Sequence, residues 1–475
     1  LRLSPDDIAA ALQGKLTTTG EKEVTGVSVD TRSLNAGEVF FALKGPNFDG
    51  HSFIEQALER GASGVVAERS STADRRAADE TGAFMIQVSD TLQALGDLAA
   101  LRRRAFDGRV VLITGTNGKT TAKEMTASIL GVRWPVFKSP GNYNNLVGVP
   151  LSIFGLKEEH RGLVLEAGMN RLGEIGRLTE IASPDVGVIT SIAPAHLLYL
   201  GDVEGIRKAK GELLEKMGRD GVAVLNADDR EVKSLAGKFS GRVVTFAAGP
   251  GADVGAERMI SRIDGGVSFD LVSPEGKVRI SLSFLGLHNI YNALAAAAAS
   301  LCFDFSLEEI RAGLERCLPL PQRLEMVRLP GGTRIIDDSY NANPGSVRAA
   351  VETFKDLVVK GRRFFLLGDM LELGNYSRQA HEEMGRFLSE KGIDFLVTLG
   401  DESRIASEVF SREAAHGRKS LHVEDPGQAA AILVEEMSAD DLLLIKGSRG
   451  MGLERVIEII KEESGSMAVS EGRGV

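Results

Sequence analysis

Short apolar runs alternate with stretches of helical spacing along almost the whole chain. From Arg109 onward VVLIT (110–114), GLVLE (162–166), VGVIT (186–190) and GVAVL (221–225) are continuous and rich in β-branched residues, the pattern of strands buried on both faces of a parallel sheet. VRISLSF (278–284) alternates strictly instead, which predicts a small antiparallel patch beyond Val243. Upstream, VTGVSVDTR and GEVFFALKG read as strands, and FIEQALERGASGVVAE as a helix followed by a strand. LQALGDLAALRRR (92–104) reads as a helix whose closing arginines suit the negative end of its dipole. Downstream, TRIIDDS, RRFFLLGDM, DFLVTLG and DLLLIKGS each lead into a helical segment, which predicts a second doubly wound sheet. Asp107-Gly108 and the prolines of CLPLPQRLE (317–325) interrupt the pattern. The expected α/β architecture is therefore a small amino-terminal substrate domain over 1–106, a central ATPase-like parallel sheet with an antiparallel patch over 107–318, and a Rossmann-like domain over 319–463. A polar tail over 464–475 is expected to be disordered.

A length of 475 residues agrees with three domains at ~150 residues each. Lys+Arg number 56 and Asp+Glu 66, a net charge of −10, which argues against general binding to nucleic acid or anionic membrane. Cys302 and Cys317 are too few for a disulfide framework and fit a reducing compartment. No run reaches the ~18 apolar residues of a membrane span, and Ala293 to Leu301 reads as a tightly packed helix. The opening LRLSPDDIAA lacks the basic-then-apolar order of a signal peptide. A cytoplasmic protein, monomeric and without a membrane span, is the expectation.

VVLITGTNGKTTAKEMTASIL carries the strongest local signal. A buried strand ends at Thr114, a glycine-containing turn follows, and Lys119-Thr120-Thr121 opens a helix. Glycine lets the backbone approach phosphate oxygens, and the N–H groups of a helix start point at the anion. Gly115, Thr116, Asn117, Gly118, Lys119, Thr120 and Thr121 are thus expected to bind ATP or a similar nucleotide. Lys119 would face the β/γ-phosphates and the Thr120 hydroxyl would hold Mg²⁺. The general signature places a glycine five residues before Gly118, and Ile113 stands there. Switches, kinases, motors and ligases all use such a loop.

Glu166 ends GLVLE, and His196 follows VGVIT in SIAPAHLLYLGD. Ligands of an open α/β sheet sit beyond the carboxyl ends of its strands, which places both residues beside the loop. Glu166 reads as a Mg²⁺ ligand or a solvated loop acid, His196 as a metal partner or a packed loop histidine. In VEGIRKAKGELLEKM, Val203, Ile206, Leu213, Leu214 and Met217 form one helical stripe; Lys210 lies inside it, whereas Lys208 and Lys216 lie off it. A cation on a buried face needs a partner or a change of charge, unless it snorkels at the helix edge. SFLGLHNIYNALAAAAASL puts His288, Asn289 and Asn292 at a helix start, where an asparagine suits an adenine edge or a cap. TRIIDDSYNANPGS crowds acids and turn formers at a strand's end, and Asp369, Lys446, Ser448 and Arg449 follow buried strands in the same way. Two crevices facing each other predict an active site assembled by closure.

GTNGKTT, LEAGMNRLGEI, SIAPAH, AKGELL, GLHNIYNALAA, PQRLE, DDSYNANPGS, LLGDMLELG and IKGSRGM occur in this order over nearly the whole chain. Together they resemble the Mur ligases of bacterial cell-wall synthesis. DDSYNANP, GNYNNLVGVPLS and GDMLELG are similar to the members that add D-alanyl-D-alanine, and no DNPR occurs. The resemblance implies an ATP-dependent amide ligase that joins D-alanyl-D-alanine to the terminal carboxylate of UDP-N-acetylmuramoyl-tripeptide through an acyl phosphate. It implies ATP and two Mg²⁺ ions, with Lys119, Lys210, Glu166 and His196 catalytic. Thr120 and Glu166 would hold one ion, and His196 and a carbamylated Lys210 the second. Asn289, Asn292, Arg323 and Asp338 would contact the nucleotide, and Ser28, Asp30, Thr31 and Arg32 of SVDTRS the uridine diphosphate. Asn142, Asn144, Asn145, Asn341 and Asn343 would lie near the substrates. Leu198 stands where relatives commonly carry Glu. Two rivals differ in testable ways: a ligase that adds a single amino acid, or glutamate to folate, would lack DDSYNANP, and a nucleotide switch would need no acceptor amine.

Overall fold

In a computed structural model that describes residues 4–195, 197–262, 265–329 and 332–471, the apolar runs become the strands of three sheets. The first sheet runs Lys15–Thr18, Phe84–Gln87, Gly64–Ala67, Glu38–Phe41, Gly26–Ser28, with Lys15–Thr18 antiparallel to its neighbour and the others parallel. Helix Thr91–Arg104 follows it and ends on Arg102, Arg103 and Arg104, as the charge pattern predicts.

The central sheet has nine strands. Val136–Lys138, Gly162–Glu166, Arg109–Thr114, Val186–Ile189, Val222–Asn226, Arg242–Ala247 and Val254–Ser261 lie side by side in parallel. Val267–Ser273 and Gly276–Leu282 extend the sheet antiparallel, which is the expected patch. Gly276–Leu282 alternates because one face is buried and the other open. Arg109–Thr114 buries both faces. Val111 and Ile113 pack with the helices Lys119–Leu130 and His288–Leu301, and Val110 and Leu112 with Gly148–Phe154, Glu174–Ala182 and Val203–Lys216. Each such aliphatic side chain contributes ~1.5–3 kcal/mol on burial. Ile113 is fully buried in this strand, so the position taken by glycine in the general phosphate loop here belongs to the core. The buried alanines 293 and 295–299 let His288–Leu301 lie close against the sheet, as the small-residue run suggests.

The third sheet runs Glu325–Arg328, Arg334–Asp337, Leu442–Lys446, Arg363–Gly368, Phe395–Leu399, Lys419–Val423, all parallel except the antiparallel first pair. Helices Pro344–Asp356, Ser377–Glu390 and Ser403–Glu413 cover one face, and Pro426–Glu436 and Glu454–Glu471 the other. The last helix continues through 464–471, where the polar composition predicts disorder. An established helix gains one hydrogen bond for each residue it adds, and no proline stops it here. Residues 472–475 lie outside the described set. Among the described residues no helix is long and apolar enough to cross a membrane.

Candidate active site

Arg109–Thr114 sits between Gly162–Glu166 and Val186–Ile189; the helix after it, Lys119–Leu130, packs on one face of the sheet, and Glu174–Ala182, which follows Gly162–Glu166, on the other. A crevice opens at such a switch point, beyond the carboxyl ends of the strands. Three loops meet there. Gly118 starts helix Lys119–Leu130 with φ 85°, and a Cβ on it would lie 2.2 Å from Asn292 Oδ1. The Thr116 N–H donates to Ser191 O at 2.7 Å, and the Thr190 hydroxyl to Asn117 O at 2.6 Å. The loop is thereby braced by the strand end that precedes SIAPAH. Gly118→Ala adds the ~1–2 kcal/mol cost of a left-handed residue to a clash with Asn292. It is expected to weaken ADP binding at least ~10-fold, as titration calorimetry would measure.

Glu166, buried, is the centre of the site. Its Oε2 accepts from the Thr120 hydroxyl at 2.7 Å and its Oε1 from Asn144 Nδ2 at 2.8 Å. Lys119 Nζ donates to Gly115 O at 2.9 Å and Thr116 O at 3.2 Å. Burial pushes its ammonium below the ordinary lysine value, opposed by Glu166 and reinforced by Arg323. Lys210 is buried at 3 % exposure with no hydrogen bond or ion pair among the described residues. Burial first, then Lys119, drives its amine well below the usual value, and Glu166 opposes this. The snorkelling alternative for Lys210 is therefore overturned: the side chain ends inside. His196, expected as a metal ligand, lies outside the described residues.

The third sheet reaches this crevice. Arg323 Nη2 donates to Thr120 Oγ1 at 2.9 Å, and its guanidinium stacks 4.0 Å from the Tyr340 ring centroid. Gln322 and Leu324, on either side of Arg323, have φ of 60° and 51°. Asn343 Nδ2 donates to Asn117 Oδ1 at 2.8 Å, and Lys446 Nζ to Asp338 Oδ2 at 2.5 Å. One cavity of about 970 Å³ is lined by Lys119, Glu166, Lys210, Asn289, Asn292, Arg323, Asp338, Asn341, Asn343 and Lys446, together with Asn142 and Asn144.

Models of known families match the chain in three consecutive stretches: "Mur ligase family, catalytic domain" over 23–103, "Mur ligase middle domain" over 113–300 and "Mur ligase, glutamate ligase domain" over 322–449. The UDP-N-acetylmuramoyl-tripeptide--D-alanyl-D-alanine ligase of Haemophilus influenzae is 34% identical over 473 residues, covering 98% of this chain and 99% of that protein. The chain belongs to the Mur ligase family. Its fold matches the crystal structure of MurF from Acinetobacter baumannii with a TM-score of 0.88 at 32% identity, over 97% of this chain and 98% of that one. It matches the MurF ligase from Thermotoga maritima, solved in complex with ADP, with a TM-score of 0.82 at 28% identity, over 94% and 99%.

Some residues that the sequence of this Mur ligase singles out lie outside this cavity. Asn145 Oδ1 accepts the N–H groups of Val147 and Gly148 at 3.1 and 2.8 Å, so it caps the start of helix Gly148–Phe154 and does not line the cavity. Asp369 Oδ1 accepts the Ser403 N–H at 2.7 Å, at the start of helix Ser403–Glu413, and does not line the cavity. Ser28, Asp30, Thr31 and Arg32 form their own turn on the first sheet, away from the cavity lining. The Thr31 hydroxyl donates to Gln56 Oε1 at 2.6 Å. Hydrogen bonds from Arg32 pull the Asp30 carboxyl down to about 2. Sequence reading missed Asp228 and Tyr291, which line the cavity; the Tyr291 hydroxyl donates to Asp228 Oδ2 at 3.0 Å. Asp228 follows the strand Val222–Asn226, and the rule of strand carboxyl ends would have found it.

The donor set suits Mg²⁺. Among the described residues no three His, Cys, Asp or Glu side chains converge to cage a metal. A hydroxyl and a single buried carboxylate do converge, at Thr120 and Glu166. Mg²⁺ prefers such sparse oxygen sites, completed by water and substrate phosphates.

Proposed function

We propose that this Mur ligase joins D-alanyl-D-alanine to UDP-N-acetylmuramoyl-tripeptide at the expense of ATP, a step of peptidoglycan synthesis. The observation that carries the reading is the shared cavity, in which the phosphate loop faces the DDSYNANP segment and Lys446 across two domains. The full-length relatives bearing that activity supply the identity of the substrates.

A carboxylate and an amine do not condense in water without activation. The terminal carboxylate of the tripeptide attacks the γ-phosphorus of ATP, the bond to ADP breaks, and an acyl phosphate forms. The amine of D-alanyl-D-alanine then adds to the acyl carbon, and the tetrahedral intermediate expels phosphate as the nitrogen loses its proton. Lys119 and Arg323 provide positive charge where negative charge develops on the phosphoryl oxygens. The Asn117–Asn343 pair holds the third sheet's site loop on the phosphate loop, which aligns the partners and excludes water from the acyl phosphate. Thr120 and Glu166 would hold Mg²⁺, with a carbamylated Lys210 supplying an anion to a second ion. When bound, Mg²⁺ neutralises phosphate charge as a Lewis acid. Asn289 and Asn292, which line the cavity, would contact the nucleotide, and Ser28 to Arg32 would take the uridine diphosphate.

The test is phosphate release followed with mass spectrometry of the products. Release only with Mg-ATP, the tripeptide nucleotide and D-alanyl-D-alanine together, with a product heavier by one dipeptide residue, is expected. Turnover with single amino acids instead would overturn the acceptor, and release indifferent to any acceptor would overturn the ligase reading.

A further inference from the structure

Lys123 has no part in the mechanism above, yet its ammonium is fully buried one turn beyond Lys119 in the phosphate-loop helix. Its Nζ donates to the carbonyls of Ser139 and Gly141 at 2.7 and 3.1 Å and lies 3.3 Å from Glu124 Oε1. Glu124 in turn pairs with Lys138. The segment so gripped leads straight into the residues that bracket Glu166. Ser139 is itself buried; its N–H donates to Val164 O at 3.0 Å, and its hydroxyl oxygen accepts the Glu166 N–H at 3.3 Å. Further along, Asn144 O accepts the Gly168 N–H at 2.7 Å while the Asn144 amide holds Glu166 Oε1. The other carboxylate oxygen is held by Thr120, on the same helix as Lys123.

We propose that Lys123 is a positioning residue: it fixes the 139–144 loop against the phosphate-loop helix, and so sets how Thr120 and Asn144 present the Glu166 carboxylate to a magnesium nucleotide. A buried ammonium satisfied by backbone carbonyls is a directional tie that an apolar side chain of the same volume cannot replace. The inference rests on the ligase reading only for the role of Glu166. Binding of Mg-ADP needs no acceptor, so a protein that failed to ligate would sink that reading and leave the following measurement standing.

Lys123→Met keeps nearly the volume of the side chain, ends one atom short of it and removes the donor. The Mg²⁺ concentration that half-saturates ADP binding, measured by calorimetry on the full chain, is expected to rise about 10-fold, in the range seen when partners behind a metal ligand are removed. The KM for D-alanyl-D-alanine is expected to stay within about 2-fold of wild type while kcat falls. Because Lys123 acts through the loop, Lys123→Met combined with Asn144→Ala is expected to be no more than about 2-fold worse than the worse single variant. Should Lys123→Met not fold, Lys123→Gln retains an N–H donor on a shorter side chain, and its Mg²⁺ requirement is expected between wild type and 10-fold. An unchanged Mg²⁺ requirement in the folded variant, or effects of the two substitutions that simply multiply, would overturn the proposal.

Discussion

Replacing Lys119 by alanine is expected to reduce ligation at least ~10³-fold, the scale on which phosphoryl transfer depends on a single well-placed cation. The loss should fall on kcat, because the charge on the transferring oxygens grows only as the phosphoryl group moves. The fold should survive. The ammonium bonds to carbonyls of its own loop, Gly115 O and Thr116 O, and does not tie distant elements together. Its depressed basicity, caused first by burial and opposed by Glu166, means that arriving phosphate adds to the counter-charge that Glu166 provides. Rapid-quench measurement of acyl phosphate formation, alongside a melting curve, would separate a catalytic loss from an unfolded protein. Near-normal kcat in a folded Lys119→Ala protein is the result that would remove Lys119 from the site.

Lys210→Ala is expected to cost ~10²–10³-fold in kcat and, unlike Lys119→Ala, to be partly rescued by added acetate or propionate. The physical reason begins with burial. A lysine amine shut inside the protein beside Lys119 is disfavoured as a cation, so its uncharged form is populated at far lower pH than in water. The uncharged amine is the form that attacks CO₂, giving a carbamate and one proton. Carbamylation would replace a buried amine that has no hydrogen-bond partner among the described residues with an anion close to Glu166 and the phosphate loop, where a divalent cation could balance both. The sign of the pH dependence follows: acidification protonates the amine and reverses carbamate formation, so activity carried by the carbamate is lost as pH falls. Wild-type protein stripped of CO₂ should slow and recover with bicarbonate. If no short carboxylate restores Lys210→Ala at any concentration, and CO₂ removal leaves the wild type unaffected, Lys210 acts as an amine.

How far the chain could be read in advance depended on whether a feature was continuous or scattered. The strands Arg109–Thr114, Gly162–Glu166 and Leu442–Lys446 are buried on both faces, so each leaves an unbroken apolar run that composition alone betrays. Val136–Lys138, Glu325–Arg328 and Lys419–Val423 lie at sheet edges and are partly exposed, so polar residues interrupt them and no run marks them. The phosphate loop was legible because its chemistry is local: glycine, lysine and threonine must follow one another at a helix start. Lys210 was legible as an anomaly in a helical stripe, but only the three-dimensional arrangement puts it beside Lys119 and Glu166. Asn145 and Asp369 were ambiguous in sequence for one reason. Asparagine and aspartate satisfy the free N–H groups of a helix start as readily as they bind a ligand, and at both positions the cap took precedence.

The linker Gln322–Leu324 has a mechanical consequence. Both flanking residues sit in the left-handed region, each at a cost of ~1–2 kcal/mol relative to ordinary backbone. The contacts that offset this come from the third sheet and its loops: Leu324 N–H donates to Asp338 Oδ1 at 3.2 Å, Tyr340 N–H to Gln322 O at 3.2 Å, and Arg449 Nη1 to Gln322 Oε1 at 3.1 Å. Arg323, which touches Thr120, is thus mounted on a backbone that is spring-loaded against it. Loosening those contacts would remove what offsets the two left-handed residues, so the hold of Arg323 on Thr120 depends on the third sheet staying in place.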